Sequence, residues 1–279
     1  YNSTVTISTG LTGIVVGDYS APVQSTWTTA ESIPLNSQTI QVLDGVVLKQ
    51  VTVAPPIQII IDKEKPEVTN VQSTADSWTN QAVTVTVTAA DEGNFASGVA
   101  RVVYNTEQTV EGAQEAQQNQ DGTYFFTLDS EQNATYYIYA VDRSGNVSDA
   151  AQTVVQIDKT DPQITGFSFS SQEDAAVSDE IYDRQFGIYS ADSIYVTVTA
   201  GDDDSSVSSG AASITLYKGD TIIETLNTVN GSATFELNAD EFAGGAEITA
   251  IATDVAGSAS DQKGPADTGS ALSNFVQIN

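Results

Sequence analysis

Seven aspartates in this chain are placed for chemistry: Asp62, Asp91 and Asp142 in one set, and Asp158, Asp161, Asp202 and Asp254 in the next. Asp62 opens the phrase DKEKP and Asp158 the phrase DKTDP; each phrase follows a run of valine, isoleucine and glutamine and stops at a proline. Carboxylates gathered from several segments suit a hard divalent cation. Calcium takes about six to eight oxygen ligands from carboxylates, amides and carbonyls. Without a cation, such carboxylates repel one another. A purely structural reading stands beside this one. Asp142, Gly145 and Asn146 make a good turn, with the aspartate accepting backbone N–H groups. Lys63, Lys65 and Lys159 could neutralise the same places without metal, and no EF-hand loop is present.

Other chemistry is thinner. Paired acids could hydrolyse glycosides. The densest groups are Asp202, Asp203 and Asp204, then Glu173, Asp174, Asp179, Glu180 and Asp183. They lie in loop-like stretches, and nothing marks one of them as a buried acid, so the chain is expected not to be an enzyme. Histidine and cysteine are absent, which excludes a His/Cys zinc site, a cysteine nucleophile and a Ser-His-Asp triad. Carbohydrate binding would need exposed aromatic platforms. Tyr182, Phe186 and Tyr189 form the best aromatic cluster; they either pack an extra hairpin or contact a ligand. Trp27 and Trp78 are the only tryptophans.

Charge narrows the partners. The chain carries 37 acidic and 9 basic residues, a net −28. Phosphate binding needs clustered Lys and Arg, so nucleic acid is excluded as a default partner. No run of 18 apolar residues exists, so no membrane insertion is expected in this segment. A cysteine-free, acidic chain rich in Thr, Ser, Asn and Gln looks like a bacterial exported protein, and the expected location is extracellular.

The elements that must position these residues are strands. Val83, Val85 and Val87 alternate with Thr84, Thr86 and Thr88, and Ile194, Val196 and Val198 repeat the pattern. Period-2 alternation of β-branched residues predicts half-buried strands. Many short strands between Gly, Asn and Asp turns predict an all-β fold of sandwiches. The stretch 111–120, EGAQEAQQNQ, has no apolar stripe and reads as a long polar hairpin loop rather than a helix.

The strands repeat. Asp142 follows Gly98 by 44 positions, and Asp254 follows Gly210 by the same 44. Equal spacing of independent landmarks is a repeat signal. Asp158 follows Asp62 by 96 positions and Asn279 follows Asp158 by 121. The excess falls before Gly210 and after Asp254, outside the 44-residue core. The expected modules are 1–62, 63–158 and 159–279, the last with insertions. Residues 1–62 match only the second half of a repeat, with Ile40, Val42 and Asp44 standing where Ile138, Ala140 and Asp142 stand. Three readings of this segment remain open: a module that starts midway, a reduced but complete sandwich, or a sandwich completed by strand addition from another chain.

Three motifs resemble the bacterial immunoglobulin-like modules that occur in tandem in large surface proteins and adhesins. These are the D-K-x-x-P openings at Asp62–Pro66 and Asp158–Pro162, the D…SG of Asp91, Ser97 and Gly98, and the Y-x-I-x-A-x-D-x-x-G-N of Tyr136 to Asn146. The third module departs from the pattern with Ser258 where asparagine is preferred. The resemblance implies tandem immunoglobulin-like sandwiches in an elongated rod, a stalk or adhesin role in cell adhesion, neighbouring modules as partners, and calcium at the joints. A glycan- or protein-binding module, contacting a host or cell-surface protein through the third module's insertion, is the main alternative. An accessory region of an extracellular enzyme is the next.

In such a sandwich the second and the penultimate strand both run back to the end where the chain comes in. Asp91 and Asp142 are therefore expected beside Asp62, and Asp202 and Asp254 beside Asp158 and Asp161.

Overall fold

The computed structural model describes residues 62–171, 186–202 and 207–279, and within residues 1–61 only the strands. Those early strands are β1 (Val5–Ser8), β2 (Gln24–Trp27), β3 (Glu31–Leu35), β4 (Gln38–Asp44), β5 (Val47–Val53) and β6 (Ile57–Ile61). They pair antiparallel as β1-β2, β3-β6 and β4-β5.

Residues 67–157 build two four-stranded sheets. One has the order β11-β12-β8-β7, from β7 (Glu67–Ser73), β8 (Val83–Ala90), β11 (Gln117–Gln118) and β12 (Tyr124–Leu128). The other has the order β10-β9-β13-β14, from β9 (Val99–Asn105), β10 (Gln114–Glu115), β13 (Gln132–Asp142) and β14 (Ala151–Ile157). The valine-threonine alternation makes β8 as expected: Val83, Val85 and Val87 are buried and Thr88 is exposed.

The stretch 111–120 is neither a helix nor a simple loop. Gln114–Glu115 pairs with β9 in one sheet, and Gln117–Gln118 pairs with β12 in the other. Ala116 between them is buried and gives its N–H to Val102 O at 2.9 Å. The chain steps from sheet to sheet at this one small side chain, and the polar residues beside it stay exposed. That is why the sequence shows no apolar stripe.

Residues 163–279 form a three-stranded sheet, β15-β17-β20, and a five-stranded one, β16-β22-β21-β18-β19. Their strands are β15 (Gln163–Ser170), β16 (Ile188–Tyr189), β17 (Ser193–Gly201), β18 (Ala211–Lys218), β19 (Thr221–Asn227), β20 (Ser232–Asn238), β21 (Ala246–Asp254) and β22 (Phe275–Ile278). A single helical turn, Ala239–Phe242, follows β20 and buries Phe242. The core is aliphatic and phenylalanine-rich: Phe169, Ile194, Val196, Ile214, Leu216, Phe235, Leu237, Ile248 and Ile278 are all 1 % exposed or less. Each such side chain contributes roughly 1.5–3 kcal/mol by leaving water. The final phrase VQIN supplies most of β22, with Val276 and Ile278 in this core.

The chain divides into two compact units. The first comprises Tyr1–Ser73, Thr84–Phe126 and Thr135–Thr153; the second comprises Thr74–Val83, Thr127–Ala134 and Val154–Asn279. In the first, Tyr104 stacks on Phe126 at 3.8 Å between centroids, and Tyr136 tilts against both. The second takes in the short stretch 74–83 together with the whole of residues 163–279.

Candidate metal centres

Every residue of the two acidic sets except Asp161 sits at the end of a strand. Asp62 follows β6, Asp91 follows β8, and Asp142 is the last residue of β13. Asp158 follows β14, Asp202 follows β17, and Asp254 is the last residue of β21. The structure brings them into two groups, Asp62/Asp91/Asp142 in the first unit and Asp158/Asp202/Asp254 in the second. In each group one carboxylate oxygen per residue lies within 4.8 Å of the others. Asp62, Asp142, Asp158 and Asp254 are 1–3 % exposed, while Asp91 and Asp202 are half-buried. Asp161 is exposed and belongs to neither group.

The two groups are copies, contact by contact. Asp62 Oδ1 accepts from Glu64 N at 3.1 Å, and Asp158 Oδ1 accepts from Thr160 N at 3.1 Å. Asp62 Oδ2 accepts from Ser97 N at 2.7 Å, and Asp158 Oδ2 from Ser209 N at 2.6 Å. Asp91 Oδ2 accepts from Gly98 N at 2.7 Å, and Asp202 Oδ2 from Gly210 N at 3.0 Å. Asp142 Oδ1 accepts from Asn146 N, and Asp254 Oδ1 from Ser258 N, both at 2.8 Å. A β-bulge sits opposite the last aspartate each time, in the β9–β13 pairing at Val141/Asp142 and in the β18–β21 pairing at Ala211/Ser213. Bulges re-aim side chains at sheet ends, and here they place the aspartate at its turn.

Four serines, of which only Ser97 stands in a motif, do much of the positioning. Ser97 Oγ accepts from Ser144 N at 3.1 Å, and Ser209 Oγ from Ala256 N at 3.2 Å. Ser148 and Ser260 lie 112 positions apart, and their hydroxyls accept from Ala140 N and Ala252 N, both at 2.9 Å. Gly98 and Gly210 hold φ of +83° and +81°, a backbone state that glycine reaches at little cost.

The groups differ in how their remaining carboxylate oxygens are met. Asn146 also turns its side-chain amide inward, donating to Asp142 Oδ2 at 2.7 Å and to Asp62 O at 3.3 Å. Ser258 has no amide to offer. Asp254 Oδ1 takes a second backbone N–H, from Gly257 at 2.6 Å, and Oδ2 is buried without a hydrogen-bond partner among the described residues. Asp91 Oδ1 in the first group is likewise buried and unpartnered.

Electrostatics follow from this layout. Two carboxylates about 5 Å apart repel by roughly 3 kcal/mol at an effective dielectric near 20. A hydrogen bond to a charged group contributes roughly 1.5–3 kcal/mol. The backbone donors therefore balance much of the repulsion, and what remains falls on the two orphaned oxygens. Burial pushes the Asp254 carboxyl above its ordinary value; the Ser258 and Gly257 N–H groups pull it back, and the charges of Asp158 and Asp202 raise it further. Burial likewise raises Asp91 against the Gly98 N–H, with Asp62, Asp142 and Glu64 adding to the rise. Two of the lysines that could have neutralised these places pair elsewhere. Lys65 bonds exposed Asp149 at 3.1 Å, and Lys159 bonds Asp129 at 2.5 Å. Hard oxygen donors with a buried acceptor to spare fit a divalent cation.

The aromatic candidates separate. Phe186 is 78 % exposed. Tyr189 is 3 % exposed and lies 5.5 Å from Phe169 in the core, so it offers no platform to a ligand. Tyr182, like Asp203, Asp204 and the acids of 173–183, lies outside the described residues.

No protein-family model and no curated protein matches the chain. Several solved structures are similar in fold. A bacterial 1.5-MDa ice-binding adhesin is 15 % identical over 92 % of this chain and 82 % of that one, with a TM-score of 0.35. The fibronectin(III)-like modules of Clostridium thermocellum CbhA are 14 % identical over 75 % of this chain and 93 % of that one, at 0.33. The D00-D0 domain of intimin is 13 % identical over 71 % and 96 %, at 0.31. Likeness at this level carries no functional inference.

Proposed function

We propose that the chain is a stalk segment of a bacterial cell-surface adhesin, a series of immunoglobulin-like sandwiches whose seams are closed by calcium. Its role is spatial, to project or attach, and it is non-catalytic. Its partners are the neighbouring modules of the same longer chain. The cation part rests on Asp254, buried between two further carboxylates with an oxygen that no donor meets among the described residues. The spacer part rests on the seam. Five residues, 158–162, separate β14 from β15, and buried Pro162 closes them. A link this short, ending in an extended pre-proline residue, leaves little slack. Among the described residues no helix is long and apolar enough to cross a membrane.

Calorimetric titration of the EGTA-treated chain with calcium tests the cation reading. Two sites are expected, one per group, each lost on Asp→Asn substitution within it. No heat and no change in melting temperature would sink it.

The exposure of Phe186 favours the second reading, a glycan- or protein-binding surface on the third module's insertion. Retention on a glycan array, abolished by Phe186→Ala, would replace the pure spacer with a binding module. A segment completed by strand addition at residues 1–62 would show as a stable complex between two copies or with an added strand peptide.

A further inference from the structure

The second acidic group is held from outside as well as from within. Within the second unit, the stretch 74–83 lies against β14 and the turn 254–258. Thr79 pairs in parallel with Ile157, and Asp158 N–H donates to Thr79 O at 3.0 Å. Next along, Asn80 N–H donates to Ala256 O at 3.2 Å, and Asn80 Nδ2 donates to Ser258 Oγ at 3.3 Å. The amide cannot turn freely, because Asn80 Oδ1 accepts from Gln81 Nε2 at 2.7 Å. Ser258 in turn holds Asp254 Oδ1 through its own N–H. An unbroken path of polar contacts thus runs from Asn80 through Ser258 to the carboxylate with the orphaned oxygen.

We propose that Asn80 and Ser258 are a positioning pair that couples divalent-cation binding at Asp158, Asp202 and Asp254 to the grip of the 78–81 stretch on the 254–258 turn. The proposal rests on the cation reading given above. Serine at 258 serves two ends here. It leaves Asp254 Oδ2 open, where the first group fills the matching oxygen with the Asn146 amide, and it gives Asn80 a hydroxyl to hold. A cation on Oδ2 fixes the carboxylate, which fixes the turn that Asn80 holds. By linkage, loosening the grip must weaken the cation by the same factor.

The test is a calcium titration of the full chain followed by the amide signals of Gly98 and Gly210, which report the two groups separately. Asn80→Ala is expected to weaken the affinity read at Gly210 by about threefold to tenfold, the worth of one hydrogen bond, and to leave that at Gly98 unchanged. Gln81→Ala, an exposed position that only frees the amide, should give a smaller effect of the same sign. Calcium should slow hydrogen exchange at Asn80 N–H in the parent and not in Asn80→Ala. Equal affinities at Gly210 in parent and both variants would overturn the coupling while leaving the cation reading intact. No response of Gly210 to calcium in the parent would overturn both.

Discussion

Asn146 donates its side-chain amide to Asp142 Oδ2 at 2.7 Å, and the residue 112 positions later, Ser258, leaves Asp254 Oδ2 without a donor among the described residues. The same turn is thus finished in two ways. Ser258→Asn should let an amide reach Oδ2 and make the second group resemble the first. We predict that this variant melts higher than the parent in EGTA and gains less on adding calcium. Thermal melts in both conditions check it.

Asp254→Asn separates charge from shape. Without cation it removes one of three mutually repelling carboxylates and should be neutral or stabilising. With cation it removes a ligand. Saturating a site at about 100 times its Kd stabilises by roughly 2.7 kcal/mol, which in a chain this long corresponds to several degrees. The expected result is a sign change: no loss in EGTA and a clear loss in calcium. A loss of equal size in both conditions would mean that the carboxylate only organises the turn.

The matched glycines give a control on the geometry. Both Gly98 and Gly210 need positive φ, so alanine at either should cost about 1–2 kcal/mol. A Cβ at Gly98 would also stand 2.4 Å from Arg143 Nη1, whereas one at Gly210 meets nothing within 4 Å among the described residues. Gly98→Ala should therefore cost more, and Arg143→Ala in the same chain should return part of the difference. Denaturant midpoints of the three variants decide it.

Alkaline pH should act through the tyrosines of the first unit. Burial raises the phenols of Tyr104, Tyr124 and Tyr136 above the ordinary value of 10.0. A folded state that keeps these protons while the unfolded chain loses them becomes less stable as pH rises above 10. Melting temperature is expected to fall steeply from there. Tyr136→Phe should make the fall shallower, and an unchanged slope would remove Tyr136 from the cause.

Much of this was readable in the chain. Period-2 valines marked β8 and β17, and two equal 44-residue spacings marked the repeat. The rule that the second and penultimate strands return to one end gathered Asp62, Asp91 and Asp142, and again Asp158, Asp202 and Asp254. Only the shared DKTDP phrase groups Asp161 with them. In an extended pre-proline segment neighbours face opposite ways; Pro162 is buried, and the carboxylate before it faces water. Tyr189 failed as a platform for a similar reason, since β16 turns Ile188 out and Tyr189 in. The grip of Asn80 on Ser258 had no local signal at all, because 178 positions separate the two. A residue pattern reports its own strand, and a contact that far apart exists only once the strands are assembled.

The parallel pairs have a consequence of their own. Ile188 and Tyr189 of β16 run alongside Gln277 and Ile278 of β22, as Thr79 runs alongside Ile157. In each case an early segment of a sandwich lies parallel to its last strand. Pulling the two ends of such a sandwich apart drags parallel neighbours past one another, so their hydrogen bonds are loaded together. Antiparallel neighbours pulled from one end would open one bond at a time, like a zip. A fold wired in this way resists tension in shear, and its breaking force should exceed what its melting temperature alone suggests.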